Sequence, residues 1–335
     1  MNVAILGATG AVGRTMLEVL TERRVEVERL TLLASERSAG QRIGWGGRGW
    51  TVEVPRPGAF RGVDVALFSA GADRSREWGP MAAAEGAVVV DNSSAWRMDD
   101  RVPLVVPEVN MAAAAARPLG IIANPNCSTI QMVVALQAIR KAAGLRRVIA
   151  TTFQSVSGAG ETGRDTLRRE NEGEGATQFR VAVPVHGSPF ARRIAGNVIP
   201  QIGDFDGEGW TGEELKMMAE TRKILDLPDL AVTATCVRVP VEVGHSVQVT
   251  VETERELSAD DARRALALFP GILLQAGADA YPTPLEAAGR DAVFVGRIRK
   301  DPVIPNTLHL WVVADNLRKG AATNAVQIVE GLRGG

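Results

Sequence analysis

Met1-Asn-Val-Ala-Ile-Leu6-Gly7-Ala-Thr9-Gly10-Ala11-Val12-Gly13-Arg-Thr-Met16-Leu-Glu-Val-Leu20 decides how this chain is read. Asn2–Leu6 is a short apolar strand, and Gly13–Thr21 has the pattern of a helix. Between them, glycines at 7, 10 and 13 make a tight turn. Such a turn lets a pyrophosphate approach backbone N–H groups, and the helix N-terminus favours its charge. The spacing is G-x-x-G-x-x-G, a loose match to the dinucleotide fingerprint that by itself also fits a plain strand-to-helix turn. The strand before and the helix after favour the dinucleotide reading, with Gly7, Thr9, Gly10, Ala11, Val12 and Gly13 as its residues.

The pattern continues outward. Arg29–Ala34, Val63–Phe68, Ala87–Val90 and Leu119–Ala123 are further apolar runs, with a helical segment at Ser75–Glu85 between two of them. Continuous apolar strands alternating with helices imply a doubly wound parallel sheet covered on both faces. The end of the second strand reads the cofactor's ribose. There, Ser35, Arg37 and Ser38 suit a 2′-phosphate and favour NADP, whereas Glu36 would suit the free hydroxyls of NAD. Tyr-based reductase chemistry is excluded. The single Tyr, Tyr281, has Leu285 four positions on, where a Lys would be needed.

Past Asn126 the character changes. Ser128–Ala143, Glu213–Leu225 and Ser258–Phe269 are amphipathic helices. Val148–Ser155, Ala231–Val239, Val241–Glu252 and Leu308–Ala314 are longer strands, and Asn316–Leu332 reads as a final helix. Val247, Val249 and Val251 alternate with polar residues, the period of a half-buried antiparallel strand. The expected organisation is a dinucleotide domain over 1–126, completed by the C-terminal helix at 316–335, and a second domain over 127–315. A second copy would cover a sheet face left bare.

Composition narrows the chemistry. The chain has 335 residues with 38 Lys plus Arg against 39 Asp plus Glu, a net charge of −1. That balance argues against a protein held to nucleic acid or a membrane surface by a basic field. No run is apolar enough to span a bilayer, and the N-terminus carries no leader pattern. Two Cys and three His exclude a disulfide framework and zinc-ligand spacings, and fit a reducing, cytoplasmic compartment with no bound metal.

Asn124-Pro-Asn126-Cys127-Ser-Thr129 puts a thiol where a strand gives way to a helix. Helix N-termini stabilise thiolates, and the same N–H groups can donate to an oxyanion. A free Cys is more commonly a small buried hydrophobe, and Cys236, inside a strand pattern, reads that way. Among the histidines, His186 lies in a loop and His309 in a strand. His245 follows Gly244, which permits close approach of another backbone or ligand. Seven positions separate Arg238 from His245, so one uninterrupted strand would point them to opposite faces. They share a site only if Pro240 or Gly244 marks a bend or bulge. Glu213 and Lys216 share a helix face, and singly they and Arg97 read as surface charges.

Together, Gly7–Gly13, Ser35–Gly40, Asp91-Asn-Ser-Ser-Ala-Trp-Arg97, Val106-Pro-Glu-Val-Asn110, Asn124–Thr129, Ser155-Val-Ser-Gly-Ala-Gly160, Glu213-Glu-Leu-Lys216, Cys236-Val-Arg-Val-Pro-Val and Gly244-His-Ser resemble the aspartate-β-semialdehyde dehydrogenase family, in order and over essentially the whole chain. The resemblance implies an N-terminal Rossmann-type domain and an α+β mixed-sheet catalytic and dimerisation domain. It implies Cys127 as nucleophile, His245 as general acid/base and Gln154 orienting the acyl intermediate. Arg238 would pair with the substrate carboxylate and Glu213 with its ammonium, while Arg97, Asn126 and Lys216 would bind phosphate. Ser157, Gly158, Ala159 and Asn316 would lie at the nicotinamide of NADP. It further implies a cytoplasmic homodimer or dimer of dimers, acting in biosynthesis of lysine, methionine, threonine and diaminopimelate. The reaction would be reduction of aspartyl phosphate through a thioester, because a thioester accepts hydride where a carboxylate does not. The alternatives are a related phosphorylating acyl reductase, such as N-acetyl-γ-glutamyl-phosphate reductase or a glyceraldehyde-phosphate dehydrogenase, and a non-catalytic dinucleotide-binding paralogue. The charged segment 161–178 receives no role.

Overall fold

The computed structural model describes residues 1–174, 185–277 and 279–334. Residues 175–178 of the unassigned segment, Pro184 before the His186 loop and the terminal Gly335 lie outside the described residues. The chain divides into two compact units, Met1–Asn126 with Gly320–Gly335, and Cys127–Lys319.

The first unit runs β1 (Asn2–Leu6), α1 (Ala11–Glu22), β2 (Arg29–Leu33), β3 (Arg42–Trp45), β4 (Arg48–Glu53), β5 (Val65–Phe68), α2 (Ala72–Ala84), β6 (Val88–Asp91), α3 (Pro107–Asn110) and β7 (Ile121–Ala123). The sheet order is β3-β4-β2-β1-β5-β6-β7. All pairs are parallel except the β3–β4 hairpin. The strands are apolar on both faces because helices cover both. Sequence order reverses direction at β1, and a doubly wound sheet binds ligands beyond the strand ends at that switch point. The hairpin's signal was Gly46-Gly47, both at positive φ, between two strand-like runs.

The second unit runs α4 (Cys127–Ala143), β8 (Arg147–Gln154), α5 (Gly160–Asn171), α6 (Gly212–Leu225), β9 (Ala231–Arg238), β10 (His245–Glu252), α7 (Ala259–Ala267), β11 (Ile272–Leu274), α8 (Pro284–Ala287), β12 (Val293–Lys300) and β13 (Thr307–Ala314). Its sheet order is β11-β12-β13-β10-β8-β9. β10 is antiparallel to both β8 and β13, while β8 and β9 are parallel. Helices α4, α6 and α7 pack on this sheet. Along β8, Val148, Ala150, Thr152 and Gln154 are buried, whereas Ile149 on the other face is exposed.

Two expectations are corrected. The strand begins at His245, not Val241: residues 239–244 cross the end of β8, where Val239 N–H bonds Gln154 O and Val156 N–H bonds Val241 O. Arg238 and His245 therefore sit on two strands flanking β8, joined by a connection that bends at Pro240 and passes Gly244 at φ +94°, the bend their shared site required. The final helix also starts late. Asp315 Oδ1 accepts the N–H groups of Leu317 and Arg318, a wide π turn spans Arg318–Ala322, and α9 (Thr323–Gly334) follows. Among the described residues no helix is long and apolar enough to cross a membrane.

Candidate active site

In the first unit the glycine turn is built by close packing. Gly7 has φ +92°, and a Cβ there would lie 2.6 Å from Ser69 O; a Cβ on Gly13 would run into the Gly7 carbonyl. Gly10 is the N-cap of α1 and no side chain caps it, so the first-turn N–H groups keep their capacity for an anion. A pocket of about 660 Å³ lies over this turn. Gly7, Thr9, Gly10, Ser35 and Arg37 line it together with Glu36, Arg74 and Glu77. Ala11, Val12 and Gly13 form the start of α1, and Ser38 is buried, 3.2 Å from Thr9 Oγ1. Sequence reasoning missed Arg74, which pairs with Glu77 at 2.7 Å. Its signal was its place at the start of the helix after β5. A cradle that any Cβ would obstruct, an uncapped helix and a loop arginine fit a phosphorylated dinucleotide. Arg97 and Asn126 also belong to this unit. Arg97 is buried and donates to the carbonyls of Asn124 (3.0 Å) and Asn92 (2.9 Å).

In the second unit three strand ends converge. Gln154 ends β8, Arg238 ends β9 in register with it, and His245 begins β10. Cys127 is the first residue of α4 and is partly exposed. One turn on, Gln131 donates to the His245 carbonyl at 3.1 Å and anchors the helix end to that strand. Thr211 and Glu214 form a capping box that starts α6 and places Glu213 at its N-terminus. Glu213 accepts from Gln154 Nε2 (3.3 Å) and pairs with Lys216 (3.6 Å).

His245 is fully buried. Its Nδ1 accepts the Ser155 N–H at 3.0 Å, and its Nε2 has no hydrogen-bond partner. Burial, then the Arg238 charge, push this imidazole well below the usual histidine range. Arg238 donates to Ser155 O at 2.6 Å, and burial lowers its guanidinium while Glu213 and Cys127 support its charge. Gly158 separates the two: a Cβ there would lie 2.8 Å from Arg238 Nη1 and 3.3 Å from His245 Nε2. Ser157 is buried and bonded to Asn316, with Ala159 beside Gly158 at the end of the same turn. The structure thus gathers Gln154, Ser157, Gly158, Glu213, Lys216, Arg238, His245 and Asn316 in one unit. Gly244, at φ +94°, is where the Pro284 backbone approaches, as its glycine suggested.

The remaining soft side chains have other surroundings. Cys236 is buried with Sγ 3.5 Å from Met217 Sδ, and burial, then Glu213, push its thiol far up. His309 is held between Asp301 (2.9 Å) and Thr250 (3.0 Å), and His186 is exposed. Sequence reasoning did not single out Ser155 or Gln131, since only the fold brings the Ser155 N–H to the imidazole and the Gln131 amide to the His245 carbonyl.

Both units of the chain are similar to known proteins. Residues 2–117 match the model of the semialdehyde dehydrogenase NAD binding domain, and residues 136–319 that of the semialdehyde dehydrogenase dimerisation domain. The chain is 51% identical to aspartate-semialdehyde dehydrogenase of Aquifex aeolicus, over 98% of this chain and 97% of that one. It is 49% identical to the Bacillus subtilis enzyme of the same name, over 99% and 97%. The crystal structure of aspartate semialdehyde dehydrogenase II from Vibrio cholerae superposes with a TM-score of 0.93 at 50% identity, covering 99% of this chain and 98% of that one. A second structure of that protein, complexed with ASA, has a TM-score of 0.93 at 49% identity and the same coverage. The chain belongs to the aspartate-semialdehyde dehydrogenase family of oxidoreductases.

Proposed function

We propose that the protein reduces L-4-aspartyl phosphate to L-aspartate 4-semialdehyde through a thioester on Cys127, with NADPH as reductant, and runs the phosphate-dependent reverse reaction. The observation that carries this reading is the buried, unpartnered Nε2 of His245 beside Gly158 and Arg238, at the strand ends where α4 begins with Cys127. The Cys127 thiolate, favoured by the α4 N-terminus, adds to the acyl carbon; the carbonyl π pair moves to oxygen. As that pair returns, the C–O bond to phosphate breaks and phosphate leaves. His245 is the general acid/base, and with backbone N–H groups at the helix start it stabilises the oxyanion. Arg238 holds the substrate carboxylate, Glu213 its ammonium, and Gln154 the acyl group. Arg97, Asn126 and Lys216 hold phosphate. Gly7, Thr9, Gly10, Ala11, Val12 and Gly13 hold the dinucleotide pyrophosphate, and Ser35, Arg37 and Ser38 the 2′-phosphate. Ser157, Gly158, Ala159 and Asn316 belong to the nicotinamide side. Bound NADPH supplies hydride.

A neighbour in the comparison, from Candida albicans, carries NADP at 25% identity and a TM-score of 0.77, which supports this cofactor. We assign residues 1–126 and the C-terminal segment to cofactor binding, and 127–315 to catalysis and dimerisation. The enzyme works as a cytoplasmic homodimer in biosynthesis of the lysine, methionine and threonine group, where the thiol stays reduced. The test is oxidation of aspartate semialdehyde in the presence of phosphate, run with NADP and with NAD. Phosphate-dependent reduction of NADP is expected; turnover of N-acetyl-glutamyl phosphate in place of aspartyl phosphate would overturn the substrate.

A further inference from the structure

The pocket over the glycine turn is larger than the two phosphate sites assigned to it. Within its volume of about 660 Å³, Gly7–Gly10 serve the pyrophosphate and Ser35 and Arg37 the 2′-phosphate. The rest of its wall has no role yet. Val54 and Pro55 follow β4, and Val54 keeps 37% of its surface exposed. Ser69 and Ala70 follow β5, with Arg74 and Glu77 close behind on α2. The strand order β4-β2-β1-β5 sets these two groups on either side of the strands that carry the phosphate sites. A dinucleotide bound there has one part left to place, a flat base with apolar faces. An exposed valine, a proline and a guanidinium suit such a base, and none of them is needed by a phosphate.

Two arginines line the pocket, and their partners tell them apart. Arg37 is exposed and forms no ion pair among the described residues, so its full charge is open to a phosphate. Arg74 donates from Nη1 to Glu77 Oε2 at 2.7 Å, one turn along α2. That pair carries no net charge, and its carboxylate would repel a phosphate placed beside it. A carboxylate bonds a guanidinium in its plane, so the flat face of Arg74 stays available, and such a face stacks on aromatic rings. We propose that Arg74, braced by Glu77, is the residue that binds the cofactor's adenine, by stacking its guanidinium on the base opposite the Val54–Pro55 wall. Arg74 then strengthens NADP and NAD alike, and the choice between them is left to Arg37. This rests on the dinucleotide reading of the pocket and adds recognition of the base to it.

The experiment is calorimetric titration of the full enzyme with NADP and with NAD, which share the adenine and differ in the 2′-phosphate. Arg74→Ala is expected to weaken both by the same factor, roughly five- to tenfold, with the ratio of the two affinities within about twofold of wild type. Arg74→Lys keeps the charge without the flat face and is expected to stay at least about threefold weaker for both. Arg37→Ala is expected to weaken NADP by about tenfold or more and NAD by no more than about twofold. A loss in Arg74→Ala confined to NADP overturns the proposal, because it marks Arg74 as a phosphate ligand. Unchanged affinity for both dinucleotides overturns it as well, as does full recovery in Arg74→Lys. Both arginines are exposed, and Tm without cofactor checks that the variants fold. A wild type that prefers NAD removes the 2′-phosphate assignment and leaves Arg74 to be judged on NAD. A wild type that binds neither dinucleotide overturns the cofactor reading and the proposal together.

Discussion

Cys127 and Cys236 carry the same side chain and differ in everything around it. Cys127 opens a helix and is partly exposed; Cys236 is sealed in the sheet with its thiol pushed up by burial. One equivalent of iodoacetamide should therefore label Cys127 and abolish activity, and Cys127→Ser should lower kcat by about a thousandfold or more. Cys236→Ser should keep kcat but lose about 1–3 kcal/mol in urea denaturation, because it replaces a buried apolar thiol, packed on Met217 Sδ, by a hydroxyl that must be desolvated. His245 adds a pH signature. Its folded-state pKa is depressed while the unfolded chain titrates near 6.5, so below that value the unfolded state binds a proton that the folded state refuses. This group's stability contribution is full above about pH 6.5 and is lost as pH falls, by up to about 1.4 kcal/mol per unit. The fall in Tm between pH 7.5 and 5.5 should be shallower in His245→Gln. The thiol at the helix start was legible from Pro125 and Asn126 before it. The surroundings of His245 were not, because Ser155, whose N–H meets its Nδ1, lies 90 positions away.

At the scale of elements, the β1–turn–α1 unit was the most legible part, since strand, glycines and helix are adjacent in sequence. The structure adds the reason for Gly13: the helix packs on the Gly7 carbonyl with no room for a methyl group. Gly13→Ala is expected to destabilise the first unit by about 1–3 kcal/mol and to weaken NADPH binding, both measurable by thermal shift with and without cofactor. The β9–β10 connection was misread for the opposite reason. Val241-Glu-Val-Gly244 has strand-like residues, yet its backbone partners are the end of β8, which lies between the two strands it joins. Asn316–Leu332 has helical composition and Asp315 caps its first turn, but that turn winds as a π turn over Arg318–Ala322, so the α-helix proper runs from Thr323.

At the scale of the whole molecule, the second sheet has α4, α6 and α7 on one face; the other carries Ile149, Thr151 and Phe153 with Gln248, Thr250 and Trp311, with the short α8 packed at its Trp311 and Val313 end. Ile149 stays exposed within the single chain, and a stable interface buries about 800 Å² per partner. If this face makes the homodimer, Ile149→Glu should give a monomer by analytical ultracentrifugation while circular dichroism is unchanged; a mutant that stays dimeric would move the interface elsewhere. Alternation along β10 announced such a two-faced strand, but alternation does not say what covers the second face. The sequence by itself determined the doubly wound sheet, the dinucleotide turn, the helix-borne thiol and, by resemblance, the family. These are properties of adjacent residues, where propensity and spacing act directly. Only the tertiary structure decided that Arg238 and His245 flank β8, that Glu213 meets Gln154, and that Ser155 meets the imidazole while Asn316 accepts the Gly244 N–H. Those relations join positions far apart in the chain, some through side chains and some through backbone N–H groups that every residue possesses, so no local pattern reveals them.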